Sequence, residues 1–63
     1  MKVAKLKEMY HLSIPVRLFP KGRGKKWIDT RIGLIDEKYL DRKVDEIWDG
    51  GENGIEVILK KKK

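Results

Sequence analysis

The chain contains no cysteine and no glutamine, one asparagine (Asn53), one histidine (His11), one serine (Ser13) and one threonine (Thr30). Without cysteine there is no disulfide, no thiolate zinc site and no cysteine nucleophile. With single copies of His, Ser and Thr, little material remains for a catalytic base beside a hydroxyl nucleophile. No apolar run exceeds three residues, so a membrane span and a signal-peptide core are not expected, and the expected location is cytoplasmic. The scarcity of amide and thiol side chains beside abundant Lys and Glu is the bias found where ion pairs are favoured and heat-labile residues avoided.

What is present is charge. Charged residues make up 41% of the 63 residues, with sixteen Lys and Arg against ten Asp and Glu, for a net charge of +6. Hydrophobic residues still reach 40%, enough for the core of one small domain over 1–63 and too many for a wholly disordered basic tail. Such a chain buries only about 60% of its extended surface on folding, which disfavours a deep, water-excluding active site. The charge is segregated. Residues 17–31 hold Arg17, Lys21, Arg23, Lys25, Lys26 and Arg31 against Asp29 alone, residues 32–59 are net acidic, and the tail Lys60–Lys63 is wholly basic. This asymmetry points to a directed basic surface.

Apolar periodicity outlines a mainly β, small α+β fold. Tyr10, Leu12, Ile14, Val16 and Leu18 alternate with polar positions and predict a half-buried strand, with Pro15 marking an edge or a bulge. The basic loop 20–26 follows, rich in Pro and Gly. Alternation resumes with Ile28, Thr30, Ile32 and Leu34 inward and Trp27, Asp29, Arg31 and Gly33 outward, so the two strands read as an antiparallel hairpin. Beyond residue 35 two readings stand. Leu40, Val44, Ile47 and Trp48 fit one stripe of a helix starting near Asp36 and running to about Trp48. Alternatively, a short helical turn at Asp36–Leu40 precedes a strand from Lys43 to Trp48, a glycine-rich loop over Asp49–Gly54 and a return strand. Ile55, Val57 and Leu59 form a strand in both. The expectation is a three- to four-stranded antiparallel sheet built from hairpins, with one helical segment beginning near Asp36. Lys2–Lys7 reads equally as a short strand or a helical turn.

Few residues could carry chemistry. His11 and Ser13 stand two apart on one face of the first strand but lack a third, orienting group nearby in sequence. Asp45, Glu46 and Asp49 have no ligand spacing typical of metals and read as a solvated acidic face. Gly22-Arg23-Gly24 lacks the strand–loop–helix context of a phosphate-binding fingerprint. The expectation is therefore a non-enzymatic protein with no catalytic residues, no metal and no cofactor.

The informative constellation is Arg17, Lys21, Arg23, Lys25, Lys26, Trp27 and Arg31, joined by the tail Lys60, Lys61, Lys62 and Lys63. Cations at this density displace condensed counterions from phosphates and give salt-dependent binding. Trp27 offers a flat face for a base, or it caps the second face of the sheet. The expected partner is nucleic acid, DNA favoured and RNA also open; a basic contact with an acidic protein and plain solvation of the loop are the alternatives.

Arg31-Ile32-Gly33-Leu34-Ile35-Asp36-Glu37-Lys38-Tyr39-Leu40, then Arg42-Lys43-Val44-Asp45-Glu46-Ile47, then Gly54-Ile55-Glu56-Val57-Ile58-Leu59-Lys60 resemble the AbrB/MazE swapped-hairpin pattern over about residues 31–60. The family's hallmark proline position is taken by Asp36 here. The resemblance implies a homodimeric DNA-binding transcriptional regulator or antitoxin, and of the basic positions it carries over only Arg31; the basic hairpin loop by itself suggests a DNA-binding regulator or small chromatin-like protein. A structural RNA-binding or ribosome-associated protein is the competing class.

Overall fold

A computed structural model describes residues 1–50 and 54–61. A 3-10 turn at Val3–Lys5 runs directly into α1 (Leu6–Met9). Four strands follow: β1 (Pro15–Phe19), β2 (Ile28–Arg31), β3 (Val44–Asp49) and β4 (Ile55–Leu59). They form one sheet in the order β2-β1-β4-β3. Two further 3-10 turns, Ile32–Leu34 and Glu37–Tyr39, lie between β2 and β3. The chain is thus a small, β-dominated α+β fold, as its periodicity indicates.

The sheet is mixed, where the sequence suggested a purely antiparallel one. Both hairpins, β1–β2 and β3–β4, are antiparallel, but β4 pairs with β1 in parallel, with Val16 opposite Ile55 and Phe19 opposite Ile58. Strand periodicity reports which face a residue occupies and carries no information on how one hairpin meets another. The meeting is set by residues 32–43, a connection long enough to cross one face of the sheet from the β2 edge to the β3 edge. In crossing, it places Ile32, Ile35, Tyr39 and Leu40 with Val3 and Leu6 against Val16, Leu18, Val44, Ile55, Val57 and Leu59. The core is this single layer of contact between the helical turns and one face of the sheet.

Three local expectations are corrected. The alternation at 10–18 overstates β1, because Tyr10–Ile14 is a turn closed by Ile14 N–H donating to the His11 carbonyl at 3.1 Å, and Leu12 stays exposed. The alternation at 28–34 overstates β2. Gly33 N–H donates to the Leu12 carbonyl at 2.9 Å, the chain bends into the 3-10 turn, and Leu34 is 72% exposed. Pro15 marks neither an edge nor a bulge; it begins a central strand, where a missing N–H interrupts no ladder interior.

At 36–49 the short-turn reading holds and the long helix does not form. Asp36 Oδ1 accepts from the Lys38 N–H at 3.0 Å and caps Glu37–Tyr39. Asp36→Ala should lower stability by about 1 kcal/mol, the usual worth of such a cap, seen as a lower urea midpoint at unchanged m-value. The helix-like stripe arises from a β-bulge between Val44 and Glu46. The extra residue puts Val44 and Ile47, three apart, on the same inward side, opposite Leu59 and Val57. The start of β3 is covered by the N-terminus, with Val44 N–H donating to the Met1 carbonyl at 2.7 Å.

Candidate nucleic-acid interface

The face of the sheet away from the helical turns carries two transverse rows of side chains. One row runs Trp48, Glu56, Arg17, Asp29 across β3, β4, β1 and β2. The other runs Glu46, Ile58, Phe19, and ends on Trp27, whose ring lies 5.7 Å from that of Phe19. Arg17 is the centre of the first row. Its guanidinium lies 3.6 Å from Asp29 and 3.7 Å from Glu56, and 4.9 Å from the centre of the Trp27 ring. The 20–27 loop leans back over this face. Arg23 Nη2 meets Glu46 Oε1 at 2.6 Å, and its guanidinium lies 4.7 Å from the centre of the Trp48 ring. Reaching from the β1–β2 loop to β3 carries the loop over β4, and Ile58 beneath it is only 4% exposed.

Two β-turns shape that loop, Gly22 N–H donating to the Phe19 carbonyl and Lys25 N–H to the Gly22 carbonyl, both at 3.3 Å. They hold Lys21, Lys25 and Lys26 outward. Because β1 and β4 run parallel, both strands end at the same edge of the molecule, and Pro20-Lys21 leaves beside Lys60-Lys61. Arg42 joins them, donating to the Pro20 and Lys60 carbonyls at 2.8 Å each. Lys60 N–H in turn donates to the Lys43 carbonyl at 3.0 Å. Pro20, Lys21, Arg42 and Lys61 line an open notch of about 320 Å³.

The sequence-derived set therefore divides. Lys21, Lys60 and Lys61 converge at one end, with Lys25 and Lys26 in the adjoining loop. Among the described residues none of these five lysines has a carboxylate partner. Arg17 and Arg23 are engaged by Asp29, Glu56 and Glu46 and serve to hold Trp27, Trp48 and the loop in place. Arg31 lies at the other end of β2, where its Nη1 donates to the Ser13 carbonyl at 2.6 Å. Lys62 and Lys63 lie outside the described residues, as do Gly51, Glu52 and Asn53 of the loop read at Asp49–Gly54. Arg42 and Trp48 were missed from sequence. Arg42 stands among acidic residues, and the bulge puts Trp48 out of phase with the alternation that would have marked it as outward. Replacing Arg42 with Met should leave two carbonyls without their shared donor and lower stability by about 1 kcal/mol in urea unfolding.

His11 Nδ1 accepts from the Ser13 N–H at 3.2 Å and lies 2.8 Å from Ser13 Oγ, an arrangement that closes the exposed turn before β1. A mostly apolar cleft of about 610 Å³, lined by Tyr10, Ile14, Pro15, Ile47, Asp49, Gly54 and Ile55, lies at the end of the sheet away from the lysines. Among the described residues no helix is long and apolar enough to cross a membrane, and no three His, Asp or Glu side chains converge as a metal site would require.

No family model matches the chain, and neither the curated proteins nor the solved structures contain a significant match to it.

Proposed function

We propose that this is a non-enzymatic nucleic-acid-binding protein that grips the phosphate backbone with the lysine-rich end of its sheet. The observation that carries the reading is the junction built by the parallel β1–β4 pair. Lys21 from the loop, Arg42 from the crossover and Lys61 from the tail share one notch without a carboxylate among its lining residues. Among the described residues these lysines have no carboxylate partner, whereas Arg17 and Arg23 do, so the lysines are open to an external polyanion. Lys25 and Lys26 extend the row into the loop. Binding would be dominated by counterion release and would carry no base specificity of its own.

Fluorescence anisotropy with labelled oligonucleotides across a salt series tests this. Single-stranded DNA, single-stranded RNA and duplex DNA of equal length form the three arms, so that sugar and strandedness are read separately. For a site of four or five cations, log Kd should rise with log salt with a slope of about 3–4. No binding at low salt in any arm, or a slope near zero, would reject the proposal.

A further inference from the structure

The outer sheet face differs in kind from the lysine-rich end, and the difference specifies which form of nucleic acid fits. Among the described residues only the 20–27 loop lies over this face, because the helical turns all occupy the other. Its arginines are paired locally, Arg17 between Asp29 and Glu56 and Arg23 with Glu46, which leaves these five groups one negative charge in excess. Two indole rings remain on it, Trp27 50% exposed and Trp48 46% exposed. They sit near opposite edges, three strand spacings or about 14 Å apart across the sheet, and in different rows along it. Each has a guanidinium against it, from Arg17 and Arg23 respectively.

A duplex presents phosphates outward and keeps its bases stacked inside. Laid on this face, it would set its phosphates against Asp29, Glu46 and Glu56. An unpaired strand can divide itself between the two surfaces. Its phosphates follow the lysines, while its bases, flat and uncharged, lie over a face furnished with aromatic rings, and the acidic groups there do not repel them. We infer that the ligand is single-stranded nucleic acid, with bases stacking on Trp27 and Trp48 while Lys21, Lys25, Lys26 and Lys61 hold the adjoining phosphates. This rests on the phosphate-binding reading above and adds the class of strand. The two arginines are positioning residues here. They orient the indoles, and their ion pairs leave neither guanidinium free to compete for the phosphates.

The test uses the intact protein with oligo-dT, oligo-U and a duplex of matched length, followed by tryptophan fluorescence and by anisotropy at the same salt. Both single strands should quench the tryptophan emission on binding, and the duplex should bind several-fold more weakly with little quenching. Trp48→Ala should weaken single-strand binding about tenfold, the usual effect of removing one stacking platform, and leave the salt slope unchanged. Because Trp27 also packs on Phe19, its contribution is read from quenching in Trp48→Ala, where it is the only indole left. Equal affinity for duplex and single strand, together with an unchanged affinity in Trp48→Ala, would overturn the inference while leaving the phosphate reading intact. Absence of binding to every oligonucleotide at low salt would remove both.

Discussion

Gly54→Ala should cost about 3 kcal/mol or more, and the melting temperature should fall by about 15 °C. Gly54 immediately precedes β4 at φ +88°, a backbone region that L residues adopt only under strain. A methyl group there would also be driven into the Pro15 carbonyl, 2.8 Å from its carbon and closer still to its oxygen. The obstacle is backbone of the neighbouring central strand, so no rotamer change relieves it; β1 and β4 must separate where their parallel pairing begins. A 63-residue domain has a total stability of about 3–9 kcal/mol, so the substitution removes a third of it or more. Gly24→Ala separates strain from collision. Gly24 has φ +78° but nothing within 4 Å of the added carbon, and its replacement should cost only about 1 kcal/mol. Thermal unfolding by circular dichroism gives both values. Equal, small losses at the two positions would mean that β1 and β4 are not packed edge to edge as described.

The second large effect is on binding. Lys21, Lys25, Lys26 and Lys61 replaced together by Ala should reduce the salt slope by about 3 units, at about 0.7–0.9 for each phosphate no longer neutralised, and should weaken low-salt binding by several orders of magnitude. All four are exposed and lack carboxylate partners among the described residues, so the fold should survive with little change in urea midpoint. That separation matters, because replacing Arg17 or Arg23 would disturb the placement of an indole as well as a charge. A control in which Lys5 and Lys7 are replaced removes two charges that do not line the notch. It should alter the slope far less, since the slope counts the phosphates that the site itself neutralises. If the control and the fourfold variant reduce the slope in proportion to charge alone, the binding is diffuse and the notch has no special part in it.

How far the sequence carried the fold can be read from the bulge in β3. Val16 and Leu18, or Val57 and Leu59, sit two apart and point inward together, and there alternation reads directly. At Val44 and Ile47 one inserted residue turns a spacing of two into three, and the pattern imitates a helix. The deciding fact, pairing with Leu59 and Val57, is long-range. The same holds for the overextended strands at 10–14 and 32–34, where hydrogen bonds between two distant turns, Gly33 with Leu12 and Ile32 with Ile14, bend both segments out of the sheet. Of the site, the cations were legible because charge density is a local property. Their partition was not, because Glu46, the carboxylate that claims Arg23, is 23 residues away. The approach of the tail to the loop depends on the parallel pairing of β1 with β4, which no local pattern encodes. Arg42 became visible only with that pairing, as the side chain that ties the two ends.

The most direct measurement is an amide NMR titration of the labelled protein with an unlabelled oligo-dT at low salt. If the loop and the tail form one site, the amides of Lys21, Lys25 and Lys26 and those of Lys60 and Lys61 should shift together along a single saturation curve, and all should return toward their free positions as salt is added. Loop and tail signals that saturate at different concentrations, or shifts confined to the apolar cleft around Tyr10 and Ile47, would contradict it.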